Sequence, residues 1–126
     1  LEYRIEAREG FLELITSGIA EPSMWLDIQK ALYAHPSFRQ GGKLLSNHQA
    51  LDFTPMTDQD VSMIASKSVR RAQEFGSGRI AFCVSGDLAF GLSRMYESLC
   101  AGKFLATTKV FRDRDQAVAW LTEQED

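Results

Sequence analysis

Residues 79–96 read RIAFCVSGDLAFGLSRMY, and the fold is decided there. Ile80 to Val84 is an unbroken apolar run of strand length. It lacks the alternation of a half-solvated strand and reads as a central strand covered on both faces. Ser85, Gly86 and Asp87 interrupt it, and Asp87 is expected to cap the helix that follows. In that helix Leu88, Leu92, Met95, Tyr96 and Leu99 recur at helical spacing until about Gly102. A strand running directly into an amphipathic helix is half of a βαβ unit, the connection that joins parallel strands. Phe90 lies off the apolar face, which points to a second packing layer or a contact surface.

Moving outward, residues 104–111 give a last strand, and Asp113 with Gln116 opens a final helix carrying Ala117, Val118, Trp120 and Leu121. The acidic tail, Glu123 to Asp126, is expected to fray. On the other side, Thr57 and Asp60 have capping-box spacing. Val61, Ile64, Ala65, Ala72 and Phe75 then repeat at helical spacing until Gly76-Ser77-Gly78 stops them. Residues 43–49, after Gly41-Gly42, form a weak strand, since only Leu44 and Leu45 in it are strongly apolar. A helix over 23–35 places Trp25, Ile28 and Leu32 on one face and closes at His35-Pro36, because proline pushes its predecessor out of the α region. Residues 2–8 alternate strictly, with Tyr3, Ile5 and Ala7 opposite Glu2, Arg4, Glu6 and Arg8, as in an edge strand. Glu9-Gly10 turns that strand back into residues 11–17. The order β-β-α-β-α-β-α-β-α predicts one α/β domain over residues 1–126, built on a mostly parallel five-stranded sheet.

Composition narrows the function classes. Fourteen Lys and Arg against 17 Asp and Glu leave a net charge of -3, the wrong sign for a dedicated nucleic-acid binder. No stretch approaches the roughly 18 apolar residues of a membrane span. No basic segment precedes an apolar one, so a cytoplasmic location is the expectation. Two cysteines, Cys83 and Cys100, are too few for a disulfide framework, and two histidines are too few for a His-rich metal site. Neither a dinucleotide fingerprint nor a phosphate-binding loop is present, so no cofactor is expected.

Ligands in open α/β sheets bind at the carboxyl ends of the strands. That rim carries Thr16, Ser17, Asn47, His48, Gln49, Ser85, Gly86, Asp87, Arg112 and Asp113. His48, Thr57, Ser85, Asp87 and Phe90 are the candidate binding residues, and Trp25, Phe53, Met56, Phe90 and Tyr96 are candidates to line an apolar pocket. A nucleophilic reading would join Ser85 or Cys83 to His48 and an acid, Asp52 or Asp87. No Gly-x-Ser-x-Gly elbow supports it.

Residues 85–99, SGDLAFGLSRMYESL, and 109–121, KVFRDRDQAVAWL, resemble the SpoIIAA-like family of small bacterial proteins. That family is similar to STAS domains (sulfate transporter and anti-sigma-factor antagonist) and has been compared with a class of lipid-binding domains. The resemblance implies the same element order. It also implies a regulatory or ligand-binding module rather than an enzyme, with a protein partner or a small apolar or anionic ligand. Anti-sigma antagonists carry a phosphorylatable serine at the start of the second helix, inside an Asp-Ser-Ser-Gly-like stretch. The matching residues 52–58 read DFTPMTD, where only Thr57 stands in for that serine and the Ser-Gly pair is missing. Three expectations follow: a non-catalytic binding module, a phospho-regulated switch at Thr57, or a small hydrolase or transferase using Ser85 or Cys83 with His48. The alternating first strand, Phe90 and Tyr96 also allow a homodimer.

Overall fold

Crossovers between parallel strands are right-handed in nearly all proteins, so a sheet that grows in one direction lays its crossover helices on one face. This chain follows that rule. The computed structural model describes residues 1–123. The elements are β1 (Glu2–Arg8), β2 (Phe11–Ile19), a 3-10 turn (Pro22–Met24), α1 (Trp25–Tyr33), β3 (Lys43–Asp52), α2 (Asp58–Arg70), α3 (Ala72–Phe75), β4 (Arg79–Cys83), α4 (Asp87–Cys100), β5 (Thr107–Phe111) and α5 (Arg114–Leu121). The strands lie in sequence order, β1 antiparallel to β2 and every later pair parallel. The predicted mostly parallel five-stranded sheet is therefore observed.

Helices α1, α2 and α4 pack on one face. Ile28 and Leu32 of α1 meet Leu12, Leu14, Leu44 and Ile80, while Val61 and Ile64 of α2 and Leu92 of α4 meet Leu51, Val84 and Val110. Helix α5 follows β5. It covers the opposite face, where Ala117 and Leu121 pack on Leu45, Ala81 and Cys83. Alternate residues of β3 and β4 thus feed two different cores, which is why 80–84 had to be apolar throughout.

Several boundaries depart from the sequence reading. Strand β3 runs to Asp52 instead of stopping near Gln49, because its polar residues find partners in the folded chain. The β2–β3 register shifts between Ile15 and Ser17, which pair with Asn47 and Ala50, so β3 carries a bulge at His48-Gln49. The Gln49 N–H donates to Asn47 Oδ1 at 3.2 Å within this bulge. Helix α2 stops at Arg70, and α3 continues the expected helix as a separate turn. The last strand begins at Thr107, not Phe104, because the Lys103 and Phe104 N–H groups remain bonded to the Cys100 carbonyl. Leu88 is exposed, so the buried face of α4 is built on Ala89, Leu92 and Cys100. Of the expected frayed tail, residues 124–126 lie outside the described residues.

Two caps were legible and one was not. Thr57 Oγ1 accepts from the Asp60 N–H at 3.1 Å and Asp60 Oδ2 accepts from the Thr57 N–H at 2.9 Å, a reciprocal capping box. Asp113 caps α5 by accepting from the Asp115 and Gln116 N–H groups. Asp87 does not cap α4. Gly86 takes that position at φ +86°, a conformation that favours glycine, and Asp87 instead pairs with Arg112 at 2.8 Å. Gly78 is needed for a different reason: any Cβ there would run into the Gly42 carbonyl, where the two loops before β3 and β4 cross.

Candidate functional site

Three helices laid on one side of a twisted sheet do not close completely. Between them and the strands lies a cavity of about 120 Å³. Its floor is Leu14, Leu44, Ser46, His48, Ile80 and Phe82. Trp25, Ile28, Gln29 and Leu32 of α1 form one wall, and Val61, Ile64, Leu92 and Tyr96 of α2 and α4 form another. Phe53 and Met56, which follow β3, also line it. No lining residue among those described is Asp, Glu, Lys or Arg.

The bulge in β3 shapes this site. Leu44, Ser46 and His48 alternate onto the helix-covered face. The extra residue then resets the phase so that Leu51 and Phe53 join the same side. His48 is buried, and its Nδ1 lies 2.7 Å from Thr16 Oγ1 on β2. Its ring meets Trp25 edge-on at 5.1 Å and Phe53 at 6.2 Å. Burial pushes its pKa down to about 4, so the imidazole is neutral at pH 7. Burial likewise pushes the Tyr96 hydroxyl well above its ordinary value. The cavity is therefore electrically neutral.

Its polar groups are few and ordered. Gln29 Nε2 donates to Ser68 Oγ at 2.6 Å. Ser68 is also hydrogen-bonded to Tyr96, and Tyr96 to Cys100. Two buried atoms of lining residues have no protein partner: Trp25 Nε1 and Gln29 Oε1.

Of the residues singled out from the sequence, His48, Trp25, Phe53, Met56 and Tyr96 come together around the cavity, while Thr57, Ser85, Asp87 and Phe90 do not line it. Thr57 is exposed, and its hydroxyl serves the capping box beside Asp58 and Asp60. Those carboxylates would repel a phosphate placed there. Ser85 and Asp87 are exposed beyond β4. Phe90 is half-buried under Arg112, whose guanidinium carbon sits 4.2 Å from the ring centre. Asp87, Phe90 and Arg112 thus form a separate surface group. Cys83 cannot work with His48. It pairs in register with Asn47, and both belong to the α5-covered face, whereas His48 faces the other layer. Burial, foremost, pushes the Cys83 thiol up to about 11, away from the reactive thiolate. Among the described residues no group of three His, Cys, Asp or Glu could hold a metal ion. None of their helices is long and apolar enough to cross a membrane.

The sequence reading passed over Gln29, Ser68 and Glu13, although each left a signal. Ser68 continues the Val61, Ile64, Ala65 spacing on the buried side of α2. Gln29 stands four residues after Trp25, one turn along α1. Glu13 shares its strand face with Phe11 and Ile15, a poor place for a carboxylate unless it is paired. It is paired: Arg114, Asn47 and Arg8 all donate to it on the α5 side.

An open α/β sheet with three helices over a neutral apolar cavity, and a fourth helix closing the reverse face, defines the structural class. A solved structure from Shewanella loihica PV-4, an uncharacterised protein of the DUF3478 family with a SpoIIAA-like fold, is similar at a TM-score of 0.53 and 17% identity. The match covers 95% of this chain and 92% of that chain. The fold is SpoIIAA-like. No protein-family model and no curated protein matches the sequence.

Proposed function

We propose that the protein is a non-catalytic module that binds a small, largely apolar molecule in the cavity beneath α1, α2 and α4. The observation that carries this reading is the cavity itself. Protein interiors pack to crystal density with few voids larger than a water molecule. A space of about 120 Å³ lined almost wholly by apolar side chains departs from that packing and is on the scale that takes a small apolar molecule. An occupant that fills it gains the close contacts its lining lacks.

Native mass spectrometry of freshly purified protein, followed by the same sample denatured, tests the proposal. A non-covalent mass that disappears on denaturation is the expected result and gives the ligand's mass. A bare chain that also fails to bind benzene in a calorimetric titration would overturn it.

A further inference from the structure

We propose that β1 is an interface between two copies of this chain, which pair their β1 strands antiparallel about a twofold axis at Ile5 and join two five-stranded sheets into one. None of the β1 residues lines the cavity.

Strand β1 is the outer strand of the sheet, and among the described residues no strand pairs beyond it. Its seven residues keep an unbroken register with β2, without the proline or bulge that blunts many sheet edges. Arg8 and Phe11 flank the two-residue turn at Glu9-Gly10, which makes them a hydrogen-bonded pair. Alternation along the strand then turns the N–H and C=O groups of Glu2, Arg4, Glu6 and Arg8 toward β2 and those of Tyr3, Ile5 and Ala7 outward. An outer row of free donors and acceptors is a template for another strand.

The charge pattern selects both the partner and the register. Outward-directed residues must meet outward-directed residues, so the allowed registers differ by steps of two. With Ile5 opposite Ile5, Glu2 faces Arg8, Tyr3 faces Ala7 and Arg4 faces Glu6 of the second copy, along the whole strand. The charged pairs then fall at non-hydrogen-bonded positions, where opposed side chains come closest. A slip of two residues sets Arg4 against Arg4 and Glu2 against Glu6, or Glu6 against Glu6 and Arg4 against Arg8. A slip of four restores opposite charges but pairs less than half of the strand.

Arg4 and Glu6 are 68% and 44% exposed and lie 3.4 Å apart within their own strand, so a second copy extends an existing ladder of alternating charge. On the other face, exposed Tyr3 and half-buried Ile5, which packs on the core beneath α1, supply apolar contact. The opposite edge of the sheet lacks this complementarity. Strand β5 is five residues long with Lys109 at its centre, and the same twofold pairing would set Lys109 against Lys109.

Sedimentation equilibrium of the full chain across the micromolar to millimolar range tests the interface. Wild type is expected to dimerise within that range. Ala7→Pro removes an outward N–H that β2 does not use, and is expected to give a monomer with an unchanged circular dichroism spectrum. Arg4→Glu sets like charges together at both symmetry-related pairs and is expected to weaken the dimer roughly tenfold. Combining Arg4→Glu with Glu6→Arg restores opposite charges and is expected to recover the dimer to within about threefold of wild type. A wild-type chain that stays monomeric throughout overturns the proposal. A dimer that neither Ala7→Pro nor Arg4→Glu weakens lies elsewhere on the molecule and overturns it too. An Arg4→Glu loss that Glu6→Arg does not recover overturns the register.

Discussion

Thr16 Oγ1 and His48 Nδ1 lie 2.7 Å apart and join β2 to β3 at the point where their register shifts. The contact is buried and sits at the edge of the cavity floor. It gives the imidazole one polar partner while aromatic rings surround the rest. A charged ring would be stranded there, and a neutral one is comfortable.

Stability should therefore depend on pH through His48. Its folded pKa, about 4, is below the ordinary value of 6.5 because burial disfavours the cation. Between those values the unfolded chain binds the extra proton. The contribution is complete above pH 6.5 and is lost as pH falls toward 4. The full effect is about 3 kcal/mol. Urea unfolding across this range should show wild type losing stability that His48→Gln, which keeps a polar side chain without the titration, does not lose. Parallel pH curves for the two proteins would contradict the buried neutral ring.

Glu13 behaves in the opposite chemical sense with the same sign of pH slope. Burial alone would raise its pKa, but hydrogen bonds from Arg114, Asn47 and Arg8 outweigh that and hold it at about 2. The carboxylate is 1% exposed, and Arg114 carries α5 onto the sheet through it at 2.6 Å. Glu13→Gln is expected to destabilise by about 2 kcal/mol at pH 7, less than for a wholly buried pair because both arginines reach water. The contribution is present above the ordinary carboxylate value of 4.5 and fades as pH falls toward 2. Denaturation midpoints of wild type and variant should converge in acid.

Thr57 is expected to act on stability through its cap. Thr57→Ala removes the acceptor for the Asp60 N–H and should cost about 1 kcal/mol, whereas Thr57→Ser should be close to neutral. Thermal unfolding of the two variants separates them. A Thr57→Ser loss as large as that of Thr57→Ala would show that the methyl group, not the capping hydroxyl, matters.

Features settled by neighbouring residues were readable in advance. The alternation of residues 2–8 and the apolar run 80–84 gave strand type, and Thr57 with Asp60 and Asp113 with Gln116 gave helix starts. Each depends on contacts within a few residues. Strand β3 past Gln49 was missed because Asn47 and His48 are satisfied by Glu13 and Thr16, more than 30 residues away in sequence. Asp87 looked like a cap because Arg112, its ion-pair partner, lies 25 residues further on. The spacing of α4 placed Leu88 in the core, but helix packing rotates it into solvent.

The sequence by itself determined the element order and the mostly parallel sheet, because periodicity and turn chemistry act locally along the chain. Only tertiary structure decided which layer each side chain entered. Neighbouring Asn47 and His48 end in opposite layers, and the β3 bulge brings His48, Leu51 and Phe53 to one side. The cavity and its unpaired Trp25 and Gln29 atoms exist only where three helices and the sheet meet. A void is a property of imperfect closure among distant elements, and no local pattern in the chain encodes it.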